Sequence, residues 1–164
     1  VYATAGSVES KDWGENFKQP LGLSKQYEHA ANNAKKLSKV LSRTELNYVG
    51  HSLGGGEAAL NSLVTSNDKL KGRKAFTFNA AGVSDITKYS EGTWRTPFKS
   101  ERKIEAYILR TDPPNKLQNN SSVMPDVNGN RHYLRPKDFP SIYNGHSIDN
   151  IIKNFGVNPD EYKK

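Results

Sequence analysis

An α/β fold, with a mainly parallel sheet flanked by helices, is what this 164-residue sequence predicts. Three observations lead there. Strand-like and helix-like stretches alternate along the chain, the pattern of sheets whose strands are joined by crossover helices. A glycine-rich turn joins one strand directly to a helix. The length suits one domain with a real core and is short for two.

Each element has its own signal. Residues 1–5 read as a short strand, and residues 6–23 as a polar loop punctuated by Gly and Pro. Ser24 is placed to cap a helix running to about Leu41. Along it Tyr27, Ala30, Ala31, Ala34, Leu37 and Leu41 recur at helical spacing, with Lys25, Glu28, Asn32, Lys36 and Lys39 opposite. Residues 46–49 form a short strand, followed at once by Gly50-His-Ser-Leu-Gly-Gly-Gly56 and, from Gly55, a helical composition. Residues 74–79 and 104–109 alternate as strands; residues 80–103 between them are mixed, with a short helix. After Asp112 an Asn-, Ser-, Gly- and Pro-rich region reads as loop to about Gly145, and residues 147–154 close the chain as a helix.

Composition narrows the function classes. The mean hydropathy is −0.80, and no apolar run approaches the roughly 18 residues of a membrane span. Without cysteine there are no disulfides, thiolate metal sites or Cys nucleophile. His and carboxylates show no ligand spacing, so neither a metal nor a cofactor is expected. The net charge of +7 suits an anionic partner: nucleic acid, an acidic lipid surface or an acidic inhibitor protein. No nucleic-acid-binding motif accompanies it, so nucleic acid is not expected. The chain starts at Val1 inside a strand-like segment, without a visible signal peptide, and so reads as a single domain, residues 1–164, excised from something longer.

The chemistry is carried by Gly50-His51-Ser52-Leu53-Gly54 between a strand and a helix. A serine at so sharp a turn needs small neighbours two residues either way, and the helix start directs N–H groups at the site. The competing reading, a phosphate-binding or merely connecting turn, lacks both a P-loop lysine and a dinucleotide-binding spacing. A serine hydroxyl needs a base to take its proton. Of four histidines, His29 lies within a helix, His51 within the turn, and His132 in a polar loop. His146 precedes the last helix, where the order Ser, acid, His of α/β-hydrolases places the base; His132 is the reserve. The acid should end a strand between them. Asp112 does, stiffened by Pro113 and Pro114, whereas Asp85, Asp126 and Asp138 follow no convincing strand. Ser52, Asp112 and His146 are therefore the expected catalytic set, in a compact α/β-hydrolase with a nucleophile-elbow serine.

These residues resemble the class 3, fungal-type lipase family. The likeness rests on Gly50–Gly56, on Arg110-Thr-Asp112-Pro-Pro, and on Ala5-Gly6-Ser7 followed by Asp12-Trp13 and Asn16. It implies an oxyanion hole from Ser7 and the backbone N–H of Leu53, and a lid within residues 8–23. Trp13 would anchor that lid, with Phe17 and Leu21 facing the acyl site and Lys11 and Lys18 favouring anionic headgroups. The chain departs from the family in having Ala5 for the usual Arg, a short segment between Asp112 and His146, and no sheet strands before residue 1. Phe76-Thr-Phe-Asn79-Ala-Ala-Gly82 resembles lipase-like domains at the C-termini of secreted bacterial Rhs-type effectors. That likeness implies a toxin acting on membrane phospholipid, secreted or delivered into a target cell, with a cognate acidic immunity protein. The expected function is a lipase or A-type phospholipase. The alternatives are an esterase or thioesterase on small soluble substrates, and an inactive hydrolase-like binding module.

Overall fold

In the computed structural model, five strands lie side by side in chain order: β1 (Tyr2–Thr4), β2 (Leu46–His51), β3 (Gly72–Phe78), β4 (Ile104–Leu109) and β5 (Asn130–Leu134). Every neighbouring pair is parallel. The structure describes residues 1–6, 20–66, 69–91, 101–113, 125–136 and 145–161, with backbone alone for 20–24 and 86. Helix α1 (Pro20–Val40) crosses from β1 to β2, and α2 (Ser52–Thr65) from β2 to β3. Short α3 (Asp85–Ser90) lies between β3 and β4, and α4 (Ile148–Asn154) follows β5.

Right-handed crossovers that always step the same way along a sheet put their helices on one face. The core lies there. Tyr27, Ala31 and Ala34 of α1 pack with Ala58, Leu60 and Leu63 of α2 on Tyr48, Ala75 and Ile104 of the sheet. The helical spacing read from Tyr27 to Leu41 is thus the spacing that faces the core. The other sheet face is half-buried and aromatic. In register, Phe78 stacks on Tyr107 and Tyr107 on His132, and half-exposed Phe155 packs edge-on against Phe78 and Tyr107.

One buried cation holds the far end of α1. Arg73, fully buried in a left-handed conformation (φ +63°), donates to Ser38 Oγ and to the carbonyls of Ser38, Leu41, Thr44 and Lys71 at 2.7–3.2 Å. Those carbonyls include some a helix leaves without intrahelical partners, at the negative end of its dipole.

Three differences from the sequence expectation bear on the site and its surroundings. Helix α1 begins at Pro20, so Ser24 lies inside it and is not its cap. Proline is suited to a first helical position, because its φ is already helical and the missing N–H would be unpaired there. The expected loop over residues 8–23 therefore ends sooner, and Leu21 belongs to α1. Helix α2 begins at Ser52 rather than Gly55. Its glycines are helical because neighbours press on them: a Cβ on Gly54 would overlap Thr4 O, and one on Gly55 would come 2.7 Å from Ala80 Cβ. Finally, β5 falls in the region read as loop after Asp112. Four of its five residues are exposed, so it shows no alternation to read.

Candidate active site

The expected residues stand at strand and helix ends, Ser52 after β2, Asp112 after β4 and His146 before α4, and of the three the side chains of Asp112 and His146 are hydrogen-bonded. β2 stops at His51, and Ser52 opens α2 with φ +59°, a left-handed conformation that side-chain-bearing residues rarely adopt. The turn is tight enough that a Cβ on Gly50 would overlap Gly54 O. Gly6 sits beside it: a Cβ there would lie 2.9 Å from His51 O and 3.5 Å from Ser52 Cβ. Thr4 ties β1 to the same turn, its Oγ1 2.6 Å from Gly54 O and 3.2 Å from Val49 O. Ala81 N–H donates to Ser52 O at 2.9 Å, fixing the turn from the side of β3. Ser52 is buried, and its Oγ has no hydrogen-bond partner among the described residues. A buried hydroxyl without a partner costs stability, and backbone strain of this kind is concentrated at functional sites in proteins generally.

Asp112 ends β4 in a turn closed by its own N–H to Leu109 O at 2.9 Å. Its side chain is fully buried, and Oδ1 lies 2.6 Å from Nδ1 of His146, which precedes α4. The two are brought together by Gly145, where a Cβ would overlap Thr111 O and lie 3.3 Å from Asp112 N. With a carboxylate on Nδ1, that nitrogen carries the proton and Nε2 keeps its lone pair.

His51, expected as a structural member of the turn, reaches the same loop. Its Nε2 lies 2.7 Å from His146 O, and the two rings are 4.9 Å apart at 46°. A carbonyl only accepts, so His51 Nε2 is the protonated nitrogen. Burial, then the proximity of His146, hold the His51 imidazole below its ordinary pKa. The hydrogen bond to His146 O and the Asp112 charge oppose the shift.

Asn79 is the residue that sequence reasoning missed. It follows β3 with φ +42° and is buried; Nδ2 donates to Gly145 O at 3.1 Å, and Oδ1 accepts from Leu109 N at 2.9 Å. The available signal was an Asn directly after an alternating strand, since Asn tolerates left-handed backbone better than most residues.

The other candidates separate. Leu53 is buried in the first turn of α2, immediately after Ser52. Ser7, Trp13 and Phe17 lie outside the described residues, as does the side chain of Leu21. His132, the reserve base, stands on β5 beside Glu105, and Tyr107 stacks on it. Asp85 starts α3 on the surface, Asp126 pairs with Arg131, and Asp138 lies outside the described residues. Among the described residues no group of three or more His, Asp or Glu is placed to hold a metal, and no helix is long and apolar enough to cross a membrane. A polar pocket of about 370 Å³, lined by Asp85, Lys88, Glu101 and Arg131 among others, opens beside the N-terminal ends of β4 and β5, away from Ser52.

Fold and sequence together place the chain in a phospholipase-like class. The chain belongs to the Tle-like phospholipase domain family, which matches residues 1–133. It is also 35% identical over 141 residues to an extracellular phospholipase A1 of Serratia liquefaciens. That alignment covers 84% of the chain but 42% of the relative, so the chain spans about two fifths of the relative's length.

Proposed function

We propose that the chain hydrolyses an acyl ester of phospholipids through a Ser52–His146–Asp112 triad on a nucleophile elbow. The observation that supports this best is the contact of buried Asp112 with half-buried His146, 2.6 Å apart, at the strand ends where Ser52 is held left-handed. In the first half-reaction Ser52 Oγ attacks the ester carbonyl carbon while His146 Nε2 takes its proton. Asp112 stabilises the imidazolium and holds its tautomer. The negative oxygen is met by the N–H of Leu53, at the positive end of α2, and by Ser7. Collapse breaks the ester C–O bond; the departing lysophospholipid alkoxide takes the proton from Nε2 and leaves an acyl-serine. Water, deprotonated by the same nitrogen, then attacks the acyl carbon, Ser52 regains the proton, and a fatty acid departs.

The name of the relative, an A1 phospholipase, supports a phospholipid substrate and A-type cleavage. The net charge of +7 supports a surface with anionic headgroups. It also supports an acidic immunity protein as partner, should the chain act as a toxin delivered by a secreted effector. That the relative is extracellular supports action outside the producing cell.

The test compares wild type and Ser52→Ala on anionic phospholipid vesicles and on a soluble short-chain ester. Fatty acid released by wild type and not by Ser52→Ala supports the proposal. Soluble-ester cleavage without release from vesicles moves the substrate to small esters, and release undiminished in Ser52→Ala contradicts the triad.

A further inference from the structure

Two side chains that take no part in this proton transfer grip the backbone on which the base stands. His51 Nε2 donates to the carbonyl of His146 at 2.7 Å, and Asn79 Nδ2 donates to the preceding carbonyl, that of Gly145, at 3.1 Å. The donors come from the ends of neighbouring strands, since His51 is in register with Phe78 and Asn79 follows it. Asn79 has a second attachment. Its Oδ1 accepts the N–H of Leu109 at 2.9 Å and its own N–H donates to Tyr107 O at 2.9 Å. Leu109 O in turn accepts the N–H of Asp112. One buried amide thus joins the strand carrying the acid to the loop carrying the base.

We propose that His51 and Asn79 are positioning residues that act as one clamp, fixing the loop of His146 against the ends of β2, β3 and β4 so that its imidazole meets both Asp112 and Ser52. The inference rests on the triad proposed above. Asp112 sets the rotation of the His146 ring, but a side-chain contact leaves the position of the backbone open. The two carbonyl contacts supply it. The residue types suit these contacts. At position 79 one side chain must accept from Leu109, donate to Gly145 O and tolerate φ +42°, which an amide of this length does. An aspartate there keeps the acceptor and the backbone preference but turns a second oxygen toward the carbonyl. At position 51 glutamine places an N–H donor near the site of Nε2, and leucine does not.

The clamp is tested by Asn79→Asp, His51→Leu, His51→Gln and the His51→Leu/Asn79→Asp double variant. Each is assayed for kcat and KM on a soluble ester and for the rate of Ser52 modification by a fluorophosphonate. Asn79→Asp and His51→Leu are expected to lose about 10²-fold in kcat and in modification rate, the scale of a 1 Å misplacement, with KM changed by less than about two-fold. His51→Gln should recover most of the loss. Because both donors hold one loop, the double variant should lose much less than the product of the single losses. Folded single variants that turn over at the wild-type rate overturn the proposal, as does a double variant in which the losses multiply. If Asn79→Asp does not fold, the His51 pair decides: full activity in His51→Leu, or no recovery in His51→Gln, overturns the clamp. A wild type that neither reacts with the fluorophosphonate nor cleaves ester defeats the triad itself, a different failure seen before any clamp variant is compared.

Discussion

The carboxylate of Asp112 meets Nδ1 of His146 at 2.6 Å because the residue before the histidine has no side chain. Gly145 lies against the turn at Thr111, where a Cβ would overlap the Thr111 carbonyl oxygen. Acid and base therefore approach through a packing of backbone on backbone that leaves no room for a Cβ at position 145.

Gly145→Ala should push the two loops apart. The expected outcome is a kcat loss of about 10²-fold from misplacement of the base. Overpacking should also cost about 1–3 kcal/mol of stability. Ester turnover and urea unfolding of the same preparation check both effects; an unchanged kcat contradicts the contact.

Asp112→Asn keeps the shape of the buried side chain beside His146 and removes its charge. The amide can donate to Nδ1, which favours the tautomer with the proton on Nε2, the nitrogen required to accept one. A kcat lower by about 10³–10⁴-fold is expected, the scale of this substitution in serine triads. The protein should remain folded by circular dichroism, so that activity and fold separate.

The chain order of Ser52, Asp112 and His146 singles out these three residues in the sequence, and the structure joins two of them, Asp112 and His146. Each stands beside a signal that survives without coordinates: glycines two residues either side of Ser52, a strand before Asp112, and a helix after His146. The core face of α1 was legible for the same reason, through the recurrence of Tyr27, Ala31 and Ala34. The clamp residues were not. His51 has its place in the turn, but its bond is to a residue far along the chain, and no local pattern reports a contact of that separation. Asn79 looks like any polar residue that ends a strand. β5 was hidden because Asn130, Arg131, His132 and Tyr133 are exposed, so neither face selects apolar side chains. The start of α1 was misplaced because a capping signal at Ser24 outweighed Pro20, which is equally at home in a turn.

Arg73 answers several carbonyls at and beyond the C-terminus of α1. Arg73→Met fills similar space but leaves those carbonyls without a donor in the interior, at about 1–3 kcal/mol for each that water cannot reach. A loss of at least about 3 kcal/mol in urea unfolding is expected. A loss below about 1 kcal/mol contradicts the capping role.

Glu57 is buried in α2, and burial raises its carboxyl above the ordinary value, opposed by a hydrogen bond from Gln26. A carboxyl raised in the folded state contributes stability below its unfolded value of about 4.3 and loses it as pH rises through the folded value. Glu57→Gln should therefore stabilise the protein at pH 8 and have little effect at pH 4. Urea midpoints at both pH values check the sign, and an equal effect at both contradicts it.

The measurement closest to the central claim is peptide mapping by mass spectrometry after reaction with a fluorophosphonate. A single adduct on Ser52 is predicted, absent in Ser52→Ala and formed about 10³-fold or more slowly in His146→Ala and at least about 10²-fold more slowly in Asp112→Asn. An adduct on another residue, or one that forms on Ser52 at the wild-type rate without His146, would contradict the triad.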